Sequence, residues 1–237
     1  MRRRILVLGD GLLGSSIVDK TNWLSVSRKK DEIDFINPET YEKWIKKDYY
    51  QEVINCIGCT KTYDKKKDDN WNVNYKGVVD LVEMCNKYNK KLIHISTDYL
   101  YSNSKEEASE EDVPVHCDNW YGYTKLLGDA YVQLKSNNYL LIRCTHKPEP
   151  FPYEKAFVSQ LGNFDYVSKI SDLIIQLIEK DSSGLYNVGT KRKTMWHLAK
   201  ETKDDVKPTS KLPDESTPRN VTMDVSKLNK ELGLDES

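Results

Sequence analysis

A doubly wound α/β fold is what this sequence predicts, and three observations carry the prediction. Short β-type apolar runs alternate with amphipathic stretches from Arg4 to Ile142, the pattern of a parallel sheet covered by helices on both faces. A glycine-rich turn, Gly9–Gly14, closes the first run and opens the first helical stretch. The 237 residues suit one domain with a small appendage.

The elements follow in order. Arg4–Leu8 is a strand, Gly11–Lys20 a helix and Leu24–Val26 a second strand. Pro38, suited to an early helical position, opens Glu39–Lys47. Val53–Cys56 is the next strand, and Asn72–Tyr88 a helix with Val73, Val78, Leu81, Val82 and Cys85 at helical spacing. Leu92–Ile95, Tyr121–Leu134 and Tyr139–Ile142 read as strand, helix and strand. After Arg143 the texture changes, with Pro148, Pro150 and Pro152 interrupting regular structure. Val167–Lys180 is helical, Leu185–Val188 one more strand, and Ser226–Leu232 a last short helix after a charged tail from Lys203 to Arg219. The expected division is 1–147 for the sheet and 148–237 for a short substrate-binding portion, with 164–190 returning to the sheet. Lys65–Asp69, whose charges cancel locally, is expected to be a solvated loop.

Composition narrows the function. Lysine and arginine number 36 against 37 acidic residues, which argues against a chain built to hold nucleic acid. No apolar run approaches the roughly 20 residues of a membrane helix. The run Ile5–Leu8 after Met1-Arg2-Arg3-Arg4 is too short for a secretion signal, so a cytoplasmic protein is expected. Five cysteines (Cys56, Cys59, Cys85, Cys117, Cys144) form no regular disulfide framework. Cys56 and Cys59 are spaced as C-x-x-C but lack a second pair or nearby histidines, so no metal is expected.

Three motifs bear chemistry. In Gly9-Asp10-Gly11-Leu12-Leu13-Gly14 the glycines permit a sharp turn and close approach of a pyrophosphate to a helix N-terminus, the fingerprint of a Rossmann-type dinucleotide fold. At the end of the second strand, Ser27-Arg28-Lys29-Lys30 places cations where an NAD site has a carboxylate. That suits the 2′-phosphate of NADP, with a solvated basic turn as the alternative. Tyr121 and Lys125 share a helix face at i, i+4, so a phenol and an ammonium point into one cleft, and the ammonium is expected to lower the phenol's pKa. Upstream, the run Leu92–Ser96 delivers Thr97 at its C-terminal end, where open parallel sheets bind ligands. Together Thr97, Tyr121 and Lys125 suit hydride transfer to a carbonyl.

On these motifs the chain resembles the extended short-chain dehydrogenase/reductase superfamily, and within it the dTDP-4-dehydrorhamnose reductase family. Val53–Thr60 is similar to that family's Asn-Ala-Ala-Ala-His-Thr strand end, and Asp34-Phe35 to its Asp-Phe pair near the adenine. Val73-Asn74-Tyr75-Lys76-Gly77 resembles its Val-Asn-x-x-Gly, and Ser96-Thr97-Asp98-Tyr99 its Ser-Thr-Asp-Tyr. Asn119–Asp129 follows its Asn-x-Tyr-Gly-x-Thr-Lys-x-x-Gly-Glu. Three departures stand out. The glycine loop is one residue shorter, and Arg-Thr-Ser-Trp becomes Arg143-Cys144-Thr145-His146. The stretch from Arg143 to Asp172 is short, with no Gln-x-Gly-x-Pro-Thr segment found in it. Pro218–Asp224 loosely resembles the family's C-terminal motif.

The resemblance implies NADPH-dependent reduction of a nucleotide-linked 4-keto-6-deoxy sugar, with NADP(H) preferred and NAD(H) accepted. It implies Thr97, Tyr121 and Lys125 as catalytic residues. Cofactor contacts fall to Gly9, Gly11, Leu12, Leu13, Gly14, Ser27, Arg28, Asp34, Phe35, Ile57, Gly58 and Cys59, besides Tyr121 and Lys125. Thr97, Asp98, Tyr99 and His146 would meet the sugar. Two alternatives stay open, a sugar-nucleotide epimerase of the same superfamily and a non-catalytic NADP-binding regulatory subunit. A dehydratase would carry Glu where Tyr99 stands. The resemblance also allows a homodimer.

Overall fold

The computed structural model describes residues 3–64, 66–102, 104–112 and 119–234; Lys65 and Cys117, named above, lie outside them. Along the chain, β1 (Ile5–Leu8) leads through α1 (Leu12–Thr21) to β2 (Leu24–Val26). A short α2 (Arg28–Asp31) and α3 (Glu39–Ile45) precede β3 (Glu52–Asn55). Then α4 (Lys67–Trp71), a π-helical turn (Asn72–Lys76) and α5 (Gly77–Lys87) form one continuous rod before β4 (Lys91–Ser96). A 3₁₀ turn (Asp98–Tyr101), α6 (Trp120–Lys135) and β5 (Tyr139–Arg143) follow. Beyond these come β6 (His146–Lys147), β7 (Lys155–Phe157), β8 (Leu161–Gly162), β9 (Asp165–Tyr166), α7 (Val167–Glu179) and β10 (Gly184–Asn187). The last stretch holds β11 (Lys193–Thr194), α8 (Met195–Lys200), β12 (Lys207–Thr209), β13 (Asn220–Val221) and α9 (Ser226–Leu232).

Six strands form one sheet in the order β10-β5-β4-β3-β1-β2, and all of its pairings are parallel. Strand side chains alternate between the two faces. Ile5, Val7, Ile54, Ile93, Ile95, Leu140 and Ile142 pack with α1 and α7. Leu6, Leu8, Val53, Leu92 and Leu141 pack on the other face with residues of α3, α5 and α6. Because both faces are covered, the strands read as continuous apolar runs, which is why the sequence betrays them. Burial of each such aliphatic side chain stabilises by about 1.5–3 kcal/mol. In α7, Val167, Ile170, Ile174, Leu177 and Ile178 make a buried stripe at i, i+3, i+4 spacing. That helix is tied to α1 by Ser16–Ser171 at 2.8 Å and Lys20–Asp172 at 2.6 Å. A third core, Phe151, Phe164, Tyr166, Met195, Leu198 and neighbours, fills the C-terminal layer above the strand ends.

One buried ion pair fixes that end of the sheet. Arg143 at the end of β5 donates through Nε and Nη2 to the Asp129 carboxylate of α6 at 3.1 and 3.0 Å, and through Nη1 to the Tyr101 hydroxyl at 2.6 Å. Tyr101 in turn donates to Asn187 of β10 at 2.9 Å. Burial opposes ionisation of Arg143, while Asp129 and Tyr101 raise its pKa and hold the charge.

The structure corrects some local expectations. Lys67–Asp69 is the exposed first turn of a helix, not a loop, with Lys61 paired to Asp69 at 2.7 Å. The helix expected from Asn72 therefore starts at Lys67 and carries a π turn. Ser27–Lys30 enters a short helix capped by the Ser27 hydroxyl, which accepts from Lys30 N at 3.2 Å. Within the charged tail, Lys207–Thr209 pairs in parallel with Lys155–Phe157.

Candidate active site

The glycine turn is built by close packing. After β1, Gly9 takes φ +101°, a conformation that L side chains rarely adopt. A Cβ on Gly14 would lie 2.2 Å from the Gly9 carbonyl oxygen, so α1 rests directly on the strand end. Gly11 differs. It is the N-cap of α1, without a side-chain cap bond, and its Cβ would meet nothing within 4 Å. The free N–H groups of this helix end therefore face a space that suits a pyrophosphate, and the absence of packing around Gly11 fits a backbone approached by a ligand. Leu12 beside it is 43% exposed, whereas Leu13 is buried.

The floor of the cleft is the turn after β3. Asn55 accepts the Ile57 N–H at 3.0 Å, and the Asn74 amide of the π turn clamps Cys59 through its N–H at 2.9 Å and its carbonyl at 3.0 Å. Gly11, Leu12, Leu13, Ile57, Gly58 and Cys59 line the same cleft of about 1110 Å³. Ser27, Arg28, Asp34 and Phe35 do not line it. Ser27 is buried and serves as a cap, and Phe35 is buried against Tyr41 and α5, where Gly77 leaves room for its ring. Asp34 accepts the Ile36 N–H in its own turn. Arg28 is exposed and makes no hydrogen bond or ion pair with the described residues. Cys56 and Cys59 line the cleft too, and among the described residues no group of three His, Cys, Asp or Glu side chains could hold a metal ion.

At the centre of the cleft stand Thr97, Tyr121 and Lys125. β4 delivers Thr97, whose hydroxyl caps the 3₁₀ turn by accepting from Tyr99 N at 3.3 Å. Asn119 caps α6 by accepting from Gly122 N at 2.7 Å, which sets the helix that carries the other two. Lys125 is buried and donates to the Ile95 carbonyl at 2.8 Å; burial lowers its pKa to about 8, while Asp129 opposes the shift. Burial pushes the Tyr121 phenol up to about 12, and its hydrogen bond with Thr97 pulls the other way. The phenol is therefore raised and not lowered as expected from Lys125, because burial dominates and Thr97 is the group that opposes it. Tyr99 meets Tyr121 edge-on, with ring centroids 5.8 Å apart.

Asp98 departs from its expected place against a sugar. It is fully buried beneath Thr97 and Thr145, both of whose hydroxyls donate to its Oδ1, and its Oδ2 has no partner. Burial raises the carboxyl to about 6. Asp98 thus meets the cleft only through the two threonine hydroxyls bonded to it. His146 lines the cleft as expected, and so do three residues that the sequence did not single out, Tyr63, Lys147 and Gln160. Gln160 was legible in principle. Gln160-Leu161-Gly162-Asn163 stands where a Gln-x-Gly-x-Pro-Thr segment was sought, with Phe164-Asp165 in place of Pro-Thr. The Phe164 ring packs on Gly162, and Asp165 accepts from Tyr166 N at 2.8 Å just before α7. Gln160-Leu161-Gly162 keeps a Gln-x-Gly spacing there, without the Pro-Thr.

No helix is long and apolar enough to cross a membrane among the described residues. Comparison with known proteins agrees with the geometry. A dTDP-4-dehydrorhamnose reductase of Aggregatibacter actinomycetemcomitans is 24% identical over 201 residues, covering 75% of this chain and 68% of the relative. Among solved structures, a dTDP-4-dehydrorhamnose reductase from Bacillus anthracis in complex with NADP has a TM-score of 0.82 at 22% identity, covering 97% of this chain and 93% of that one. The Bordetella bronchiseptica enzyme WbmG, in complex with NAD and UDP, has a TM-score of 0.80 at 16% identity, covering 98% and 89%. Residues 3–146 match the family described as RmlD substrate binding domain, and the chain belongs to that family.

Proposed function

We propose that this chain is an NADPH-dependent reductase acting on the C4 ketone of a nucleotide-linked sugar, with the 4-keto-6-deoxy class implied by its relatives' names. The observation that carries the reading is the convergence of Thr97, Tyr121 and Lys125 in a cleft whose other end is the open N-terminus of α1. Gly11, Leu12, Ile57, Gly58 and Cys59 would hold the dinucleotide, which when bound supplies a hydride to the ketone carbon.

The chain's own groups account for the proton. Tyr121 gives its phenolic proton to the carbonyl oxygen as negative charge develops there, and the Thr97 hydroxyl turns its single proton from Asp98 Oδ1, 3.3 Å away, to the same oxygen. A phenol pushed up to about 12 is fully protonated at neutral pH and is therefore ready as an acid. Lys125 uses one donor on the Ile95 carbonyl, which fixes the ammonium and leaves two hydrogens for the ribose and the phenolate. Its positive charge offsets the phenolate that remains after transfer. Asp98, tied to Thr97 and Thr145, holds the hydroxyl wall in register.

The test is oxidation of NADPH by the purified chain, followed by loss of nicotinamide absorbance, with a panel of 4-keto nucleotide sugars beginning with dTDP-4-dehydrorhamnose. Turnover dependent on the sugar supports the reading. Binding of both ligands with no oxidation favours the regulatory subunit, and isomerisation of the sugar without net oxidation favours the epimerase.

A further inference from the structure

We infer that Lys147 is a specificity-determining residue which, with His146, holds a carboxylate carried by the sugar ring. The inference rests on the nucleotide-sugar reading above and sets a carboxylate at C6 in place of the methyl group of its 6-deoxy class. Both residues form β6, which continues from β5 directly after Thr145 and pairs with β9. Both line the cleft, and Thr145 is bonded to Asp98 beneath Thr97, so this wall belongs to the reacting end.

The state of Lys147 calls for a ligand. Its side chain makes no hydrogen bond or ion pair with any described residue. Asp98 is the one opposite charge that acts on it, and does so at longer range, while crowding lowers its pKa. The Asp98 carboxylate is already engaged by two hydroxyls on Oδ1, and its Oδ2 is sealed within the wall. Lys147 is half-buried on the cleft wall, so its partly desolvated ammonium, without a protein partner, is placed to meet an anion arriving in the cleft.

His146 adds a second donor. Burial and the neighbouring Lys147 push its imidazole down to about 4, so the ring is neutral at neutral pH. Its Nδ1 is enclosed and unpartnered. The tautomer with the proton on Nε2 leaves no N–H stranded inside the wall, and turns a donor to the ligand. One charged and one neutral donor line the same cleft and suit a group that only accepts, and a carboxylate is such a group. A methyl group would leave both donors unmet.

The test is calorimetric titration of the chain, in the presence of NADP, with UDP-glucuronate, UDP-glucose and UDP, and with the thymidine-linked counterparts. The wild type should bind the glucuronate about tenfold to a hundredfold more tightly than the glucose derivative, the scale of one charge-assisted hydrogen bond. Lys147→Met should abolish that ratio and leave affinity for the glucose derivative and NADP unchanged, while Lys147→Arg should preserve it. A wild-type ratio near one overturns the inference. So does an equal loss for all three ligands in Lys147→Met, which would assign Lys147 to the diphosphate or to Asp98 alone. No binding of any nucleotide sugar, with NADP still bound, defeats the nucleotide-sugar reading itself, whereas binding without preference defeats only this inference.

Discussion

Two glycines of one turn should respond oppositely to substitution. A Cβ on Gly14 would stand 2.2 Å from the Gly9 carbonyl oxygen and 3.1 Å from its carbon, and both contacts are with backbone that cannot swing away. Gly14→Ala must therefore lift α1 from the end of β1, an overpacking cost of about 1–3 kcal/mol. At about 2–4 °C per kcal/mol for a chain of this size, Tm should fall by roughly 2–12 °C. Gly11 has φ −69° and ψ −175°, an ordinary extended conformation, and no neighbour within 4 Å of a Cβ. Gly11→Val should cost no more than about 1 kcal/mol, the difference between cap residues. Its effect should fall on the cofactor. At a hundredfold excess over Kd, NADPH stabilises by about 2.7 kcal/mol, or roughly 5–11 °C. Thermal melts of both variants with and without NADPH separate the cases. Gly11→Val should melt near the wild type and gain nothing from NADPH. If it gains as much as the wild type, the turn holds no pyrophosphate; if Gly14→Ala melts unchanged, the packing argument fails.

Tyr121→Phe should lower kcat by roughly 10²–10⁴ and leave NADPH affinity nearly intact, the scale of a lost general acid; near-normal turnover in the NADPH-oxidation assay would remove Tyr121 from the mechanism. Arg28→Ala should weaken NADPH by about tenfold to a hundredfold and spare NADH, since the guanidinium is exposed and free to meet a 2′-phosphate. Equal affinities of the wild type for both cofactors, measured by fluorescence titration, would make Ser27–Lys30 a solvated turn. Asp98 predicts a pH effect on stability. Its carboxyl sits at about 6 in the folded chain against an ordinary 3.8, so the contribution is fully present below about 3.8 and is lost as pH rises through 6. In urea titrations, the stability of Asp98→Asn relative to the wild type should therefore rise over that window and level off above it. A difference that stays flat would show that Asp98 is not held protonated by burial.

The parallel strands were legible because both faces of the sheet are buried, so their residues are apolar without interruption. The glycine turn, Thr97 and the Tyr121–Lys125 pair were legible because each combines a special residue type with a fixed place on a strand or helix end. What escaped has a common cause. Lys147, Tyr63 and Gln160 lie on two-residue strands or loops whose positions are set by packing above the sheet, where no periodicity marks a face. The π turn at Asn72–Lys76 escaped because it interrupts a helical pattern by a single residue of slack, and its reason is tertiary, the clamp of Asn74 on Cys59. Phe35 was matched to a cofactor contact by its place in a motif, while its packing on Gly77 and Tyr41 depends on α3 and α5 approaching from distant parts of the chain.

The sixth strand has a bearing on how the protein can be dissected. β10 joins β5 only after the chain has made β6 to β9 and α7, and α7 covers the face that α1 shares. A fragment ended at residue 147 would leave the β5 backbone as an open edge and strip the apolar stripe from one side of the sheet. Unpaired edges of this kind recruit other chains, so such a fragment should precipitate or co-purify with chaperones instead of reporting on cofactor binding. Ribosomal synthesis faces the same constraint. The sheet's sixth strand, Gly184–Asn187, is the last of its strands to be made, after β6 to β9 and α7.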